Sequence, residues 1–133
     1  MEIAVKSCGC IVIDDIDNKV LIVKQRAGHW GFPKGRMEKN ETERETALRE
    51  VKEETNLDVE IIGEKTFKDQ YKTKRGIKEV VFFIAKKIGG EIKPQIKEIQ
   101  EIKWVHYQYA LKFLTHNSTK EIFKKFLEEE NLY

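Results

Sequence analysis

Gly35-Arg36-Met37-Glu38-Lys39-Asn40-Glu41-Thr42-Glu43-Arg44-Glu45-Thr46-Ala47-Leu48-Arg49-Glu50-Val51-Lys52-Glu53-Glu54-Thr55-Asn56-Leu57 contains the clearest helix of this 133-residue chain. The spacing predicts a helix over residues 42–55, with Thr42 as its N-cap and Glu45, three residues on, completing a capping box. Ala47, Leu48, Val51 and Thr55 recur at helical spacing and are expected to face a core. Asn56 then suits the left-handed backbone that ends a helix, second only to Gly. Glu50, Glu53 and Glu54 share one stripe: at about 100° per residue, Glu50 and Glu54 lie roughly 40° apart, with Glu53 about 60° to the other side of Glu50. The stripe is expected on the side away from the centre of the apolar face. Such like charges repel by a few tenths of a kcal/mol per pair, and a hard divalent cation taking oxygen ligands would offset that. Three glutamates alone would read first as an ordinary solvated face on a surface helix, and it is the rest of the segment that speaks against that.

Outward from this helix, strands and further helices alternate. Residues 3–14 read as a strand rich in β-branched residues, closed by the polar turn Asp15-Ile16-Asp17-Asn18. A second strand over 20–26 is close enough to pair with it as a hairpin. Residues 27–35, Ala27-Gly28-His29-Trp30-Gly31-Phe32-Pro33-Lys34-Gly35, are dense in Gly and Pro and are expected to be irregular. Strands follow over 59–71, 77–86 and 101–107, with a Gly89-Gly90 turn between the last two. From Tyr109 onward, Leu111, Phe113 and Leu114, then Ile122, Phe123, Phe126 and Leu127, predict one short and one longer helix. The interleaving implies one α+β domain over 1–133, a mixed sheet sandwiched between helices.

Composition removes several classes of function. Lys and Arg number 25 against 23 Asp and Glu, a balance that gives no global attraction to nucleic acid or an anionic membrane. No stable nucleic-acid partner is expected, and any anion site must be local. The longest apolar run, from Val80 to Ala85, is far too short to span a bilayer. Met1-Glu2-Ile3-Ala4-Val5-Lys6 lacks the pattern of a secretion signal, so the cytoplasm is the expected address. Cys8 and Cys10, one residue apart in an apolar stretch, should point to one face of a strand and pack there. No second Cys pair completes a zinc site.

From Gly35 the pattern runs five residues to Glu41, seven more to Arg49-Glu50-Val51-Lys52-Glu53-Glu54-Thr55-Asn56-Leu57. It resembles the Nudix box, G-x5-E-x7-R-E-U-x-E-E-x-G-U with U a bulky aliphatic, departing from it only at Asn56. The resemblance implies a Nudix fold and a pyrophosphohydrolase requiring Mg2+, or Mn2+ in its place. The substrate would be a nucleoside diphosphate linked to another group, attacked by water at phosphorus. It implies Glu50, Glu53 and Glu54 as metal ligands, with Gly35 turning the backbone tightly and offering its carbonyl. Arg49 would hold a neighbouring glutamate in its productive rotamer, and Glu41 would fix the loop before the helix. The general base is a box glutamate in some branches and a late-loop glutamate in others; Glu98 resembles the latter, giving a catalytic set of Arg49, Glu50, Glu53, Glu54 and Glu98, and a further metal ligand in Glu98.

The approach His29-Trp30-Gly31-Phe32-Pro33-Lys34-Gly35 resembles that of asymmetric diadenosine tetraphosphate hydrolases, and similar lead-ins occur in RNA 5′-pyrophosphohydrolases and diphosphoinositol phosphohydrolases. Tyr71, Lys78 and the Glu98…Trp104 segment fit the dinucleotide branch. That branch implies cleavage to ATP and AMP by a monomer or homodimer, with His29, Trp30, Lys34, Tyr71 and Lys78 binding substrate. Aromatic faces stack on any base, while lysines neutralise phosphates. Trp30, Tyr71 and Trp104 are alternatively packing residues, Trp104 above all, and Lys72-Thr73-Lys74-Arg75 is a solvated hairpin tip that a long anionic substrate could use. A Nudix fold used purely as a binding module is the alternative from another class, against which the intact carboxylate stripe speaks.

Overall fold

The computed structural model describes residues 3–130; Met1, Glu2 and residues 131–133, the ends of the expected domain, lie outside them. The long strand β1 (Ile3–Asp14) alternates between two buried faces, and the rest of the molecule is organised by that alternation. Cys8, Cys10 and Val12 point to one side and Ile11 to the other, with each side covered by its own apolar cluster. A strand buried on both faces belongs in the middle of a sheet. There β1 pairs in parallel with β6 (Gly76–Gly89), and antiparallel with β2 (Lys19–Gln25) and β4 (Lys34–Arg36). The remaining strands are β3 (Trp30–Gly31), β5 (Asp58–Thr73) and β7 (Ile99–His106). The seven-stranded mixed sheet has the order β3-β2-β1-β6-β5, with β4 on β1 and β7 on β2.

Helix α1 (Glu43–Thr55) covers the face of Cys8, Cys10, Val12, Leu21 and Val81 through Ala47 and Val51. Helices α2 (Tyr107–Phe113) and α3 (Asn117–Glu129) cover the other, where Phe123 and Phe126 meet Ile11, Ile22, Phe32 and Phe82. The expected sandwich is therefore present. Burial pushes the free thiols of Cys8 and Cys10 up, to about 11 and about 12, which keeps them as unreactive packing groups. Among the described residues no helix is long and apolar enough to cross a membrane.

Two expectations need correction, and a third is met over a short stretch. Residues 27–35 are not wholly irregular, because Trp30–Gly31 pairs with β2 and Lys34–Arg36 with β1. Gly and Pro punctuate the segment locally, but non-local pairing decides it. Gly9 makes this approach feasible: a Cβ there would collide with the Pro33 carbonyl, the oxygen that accepts from Cys10 N at 3.2 Å. The expected β1–β2 hairpin forms at Ile13↔Val20 and Asp14↔Lys19 only, while β2 pairs along its length, from Lys19 to Gln25, with β7, and at Val23 and Lys24 with β3. Leu48 is 38% exposed rather than in the core, displaced from the buried arc of α1 by Glu50 and Glu54.

Candidate active site

The N-terminus of α1 is fixed as its sequence requires. Thr42 Oγ1 accepts from Glu45 N at 3.1 Å while Glu45 Oε1 accepts from Thr42 N at 2.8 Å, both halves of the capping box. At the other end Asn56 sits at φ 67°, ψ 5°, the expected left-handed stop, and its Nδ2 donates to Glu91 O at 3.0 Å. Between these caps the helix is held in a single rotation about its axis, which sets where its carboxylates point.

They do not form a single outward stripe. Glu50 is 9% and Glu54 4% exposed, both within the buried arc of the helix, whereas the Glu53 side chain is 53% exposed. The buried arc has two neighbours: Ala47 and Val51 meet the apolar sheet, and Glu50 and Glu54 meet β4. A Cβ at Gly35 would fall on the Glu50 carboxyl group, so the residue is Gly because that carboxyl lies against its backbone. The tight turn expected at Gly35 is absent; it lies inside a strand.

Arg49 fastens the cluster. Its Nε and Nη2 grip both oxygens of Glu41, at 2.6 and 3.0 Å, and Nη1 donates to Glu50 at 2.9 Å and Glu53 at 3.1 Å. Nη2 also donates to Arg36 O at 2.9 Å, tying α1 to β4. Glu41 further accepts from Glu38 N and Thr46 Oγ1, the loop-fixing role expected of it. The Arg49 guanidinium holds the Glu41 carboxyl well down, to about 2.

Glu50, Glu54 and Glu98 face one cavity of about 480 Å³, together with Lys34, Gly35, Gln25 and Arg36. Glu98 comes from far along the chain. Its carbonyl accepts from Arg26 N at 3.0 Å, and its N–H bonds back to Gln95, so the residue just before β7 is pinned beside the end of β2. Burial pushes the Glu54 carboxyl up to about 8, and the nearby charges of Glu50 and Glu98 add to the shift against the Lys34 N–H, 3.3 Å from Glu54 Oε1. Burial also raises Glu50, opposed by Arg49. A site that crowds carboxylates and strips them of water favours a hard divalent cation, which would restore their charged forms. The donor chemistry of Glu50, Glu54 and Glu98 fits such an ion. Among the described residues, no three His, Cys, Asp or Glu side chains yet converge on one point as they are arranged here, and Glu53 is turned to Arg49.

A second cavity of about 480 Å³ adjoins the first and shares Gln25 and Lys34 with it. His29, Trp30, Lys34 and Tyr71 all line it, four of the five residues expected to bind substrate, with Phe32, Val80, Phe82, Asp69 and, from the start of α3, His116 and Ser118. Tyr71 is half exposed at its mouth. Trp30 stands edge-on to Phe113, and its backbone exchanges bonds with Thr115. The rings of His29 and His116 lie 4.7 Å apart. Burial lowers the pKa of Lys34, with Glu54 opposing the shift. Lys78 is not in this pocket; it lines a separate cleft with Arg36, Lys74 and Arg75. Trp104 is a packing residue, half-buried against the α1-side cluster.

Gln25, Asp69 and His116 were not foreseen from sequence. Asp69 had a faint signal, the alternation Phe67-x-Asp69-x-Tyr71 that points all three to one face; Gln25 and His116 had none.

Comparison with known proteins covers nearly the whole chain. The profile of the NUDIX domain matches residues 5–126. An 8-oxo-(d)GTP phosphatase of Mycolicibacterium smegmatis is 28% identical over 108 residues, 81% of this chain and 33% of that protein. The m7GpppN-mRNA hydrolase dcap-2 of Caenorhabditis elegans is 35% identical over 106 residues, 75% of this chain and 13% of that protein. The chain thus spans a third or less of the length of these curated relatives. Among solved structures, a C. elegans Ap4A hydrolase in a binary complex superimposes with a TM-score of 0.83 at 24% identity, covering 98% of this chain and all of the other, a likeness of fold.

Proposed function

The chain belongs to the NUDIX family, and from that premise we propose that it is a Mg2+-dependent hydrolase which splits diadenosine tetraphosphate asymmetrically into ATP and AMP, in the cytoplasm. One observation carries the reading: a carboxylate cavity suited to metal and phosphate opens directly onto an aromatic pocket suited to a base, with Gln25 and Lys34 on the shared wall.

The holders proposed for Mg2+, or Mn2+ in its place, are Glu50, Glu54 and Glu98, the Gly35 carbonyl, and Glu53 on the same helix. Bound there, the ion would lower the pKa of a water and neutralise phosphate oxygens. The chain's own residues do the rest. Lys34 places its charge between the two cavities, where a polyphosphate must pass. Arg49 keeps Glu50 in one rotamer and, through Arg36 O, keeps the helix against β4. Glu98, pinned through its own backbone, is the candidate base that needs no side-chain rearrangement of α1. Trp30 and Tyr71 offer faces on which adenine stacks, with the His29–His116 pair beside them.

Product analysis tests this. Incubation of diadenosine tetraphosphate with Mg2+ is expected to give equal amounts of ATP and AMP on chromatography. Two ADP molecules, or faster turnover of a 5′-triphosphorylated RNA, would contradict the assignment.

A further inference from the structure

Stacking on Trp30 and Tyr71 grips a base but does not choose one, because every base has a π face. The choice falls to whatever meets the edge of the base. In the aromatic pocket the buried side chains of Phe32, Val80, Phe82 and Ile122 supply apolar wall, and Asp69 supplies the one carboxylate. Strand β5 sets its direction. Phe67, Asp69 and Tyr71 alternate onto one face, Phe67 in the core beneath α3 and Tyr71 at the pocket mouth. Across the strand pair Asp69 faces Val80 and Phe67 faces Phe82, so the carboxylate stands beside the apolar wall.

Asp69 has no partner there. Among the described residues, every other carboxylate that is buried or half-buried, from Asp14 to Glu101, accepts a hydrogen bond or joins an ion pair; half-buried Asp69 does neither. Two cations are at hand, Lys78 diagonal to it across the strand pair and Lys34 lining the same pocket, yet neither forms an ion pair with it.

A base that fills the pocket takes water from this group, and a carboxylate at neutral pH accepts hydrogen bonds but donates none. An amino group or a ring N–H on the base satisfies it. A keto oxygen or a bare ring nitrogen sets lone pair against lone pair and leaves it unpaired. Adenine brings its 6-amino group, and guanine its 2-amino group with the N1–H beside it. Hypoxanthine has a keto oxygen at C6 and no amino group at all.

We infer that Asp69 selects the base: it accepts a hydrogen bond from an exocyclic amino group, so the pocket takes aminopurines in preference to hypoxanthine. The inference rests on the reading of the aromatic pocket as the base site and adds what stacking leaves open, which bases are held. A site built around a hydrogen bond discriminates against a ligand that cannot make it, because its own polar group is then stranded. The amino group belongs to adenine or to guanine, and the chemistry of recognition is shared.

Calorimetric titration of AMP, GMP and IMP into the intact protein, with a chelator present, reads the choice without turnover. Wild type is expected to hold AMP, GMP or both on the order of 10-fold more tightly than IMP, the effect of one hydrogen bond to a charged group. Asp69→Asn, whose amide both donates and accepts, should bring that ratio to about one. Asp69→Ala, which offers no acceptor, should level it as well. Losing the charge favours the phosphate of every nucleotide alike, so the ratio between bases is the readout. Glu64→Gln, which removes an exposed charge from the same strand, should keep the wild-type ratio. Equal binding of the three nucleotides by wild type, binding of none, or a wild-type ratio retained in Asp69→Asn overturns the assignment. AMP ahead of GMP gives the amino group to adenine, in keeping with a diadenosine substrate. GMP ahead of AMP gives it to guanine, which keeps Asp69 as the selector and contradicts that substrate. With Mg2+ present, KM for diinosine tetraphosphate should exceed that for diadenosine tetraphosphate by about the same factor at similar kcat, and Asp69→Asn should close the gap. If wild type cleaves neither, the hydrolase reading fails while the titration still decides Asp69.

Discussion

The two cavities of this protein share a wall but are encoded differently. The carboxylate cavity takes Lys34, Gly35, Arg36, Glu50 and Glu54 from one segment, a capped helix and the short strand before it, braced by Glu41 and Arg49 of the same segment, and only Glu98 and a few neighbours from elsewhere. The aromatic pocket takes Gln25 from β2, Trp30 from β3, Asp69 and Tyr71 from β5, Val80 and Phe82 from β6, and His116 from the N-cap of α3. In the first, helical periodicity and two caps determine which side chains meet. In the second, strand register and the docking of α3 decide. Apart from Glu98, the carboxylates are thus written locally and recognition non-locally, and substitutions should separate the two.

The largest effects are expected in the local segment. Glu54→Gln removes a charge from the cavity while keeping shape, and turnover should fall on the order of 10²-fold or more with Mg2+ present. Glu53→Gln should also lose activity, by less, since Glu53 meets the solvent and Arg49. Steady-state rates of both variants beside wild type check this; near-full activity in both would remove the metal mechanism. Gly35→Ala should combine lost turnover with lost stability, about 1–3 kcal/mol by denaturant unfolding, because its methyl displaces the Glu50 carboxyl.

In the aromatic pocket the effect should move to binding. Trp30→Ala or Tyr71→Ala is expected to raise KM roughly 5- to 100-fold, the range of a lost stacking contact, with kcat changed little. A variant that lowered kcat alone would mean that the ring orders the carboxylates rather than the base.

How much of this was legible follows the same division. The helix 43–55, both caps, the role of Glu41 and the packing of Cys8 and Cys10 were readable, because each depends on neighbours within a few residues or on alternation along one strand. The burial of Glu50 and Glu54 was not, since periodicity gives relative angles on a helix but not what lies against each side. β4 lies there, and its pairing with β1 is non-local. The same limit hid β3 and β4 within residues 27–35, and hid that Lys78 lines a cleft apart from the pocket of Trp30 and Tyr71. Glu98 could be singled out only by resemblance; its position beside Arg26 arises from the β2–β7 pairing.

Smaller effects test the supports. Glu41 titrates well below an ordinary carboxyl because of Arg49. Its depressed pKa contributes stability that is present above about 4.5 and lost as pH falls toward about 2. Wild type should therefore exceed Glu41→Gln in thermal stability at neutral pH and converge with it near pH 2, as thermal melts across that window would show. Smallest is Asn56→Gly, which relieves a left-handed Asn but gives up the bond to Glu91 O, and should lie within about 1 kcal/mol of wild type. Asn56→Val should destabilise clearly, because a β-branched side chain resists positive φ.

The most direct test is calorimetric titration of Mg2+ and Mn2+ into wild type and Glu54→Gln, with turnover of diadenosine tetraphosphate measured over the same concentrations. Wild type is expected to bind saturably, with activity tracking occupancy, and Glu54→Gln to lose both. A Glu54→Gln protein that binds the metal as wild type does and still turns over at a similar rate would contradict the metal mechanism.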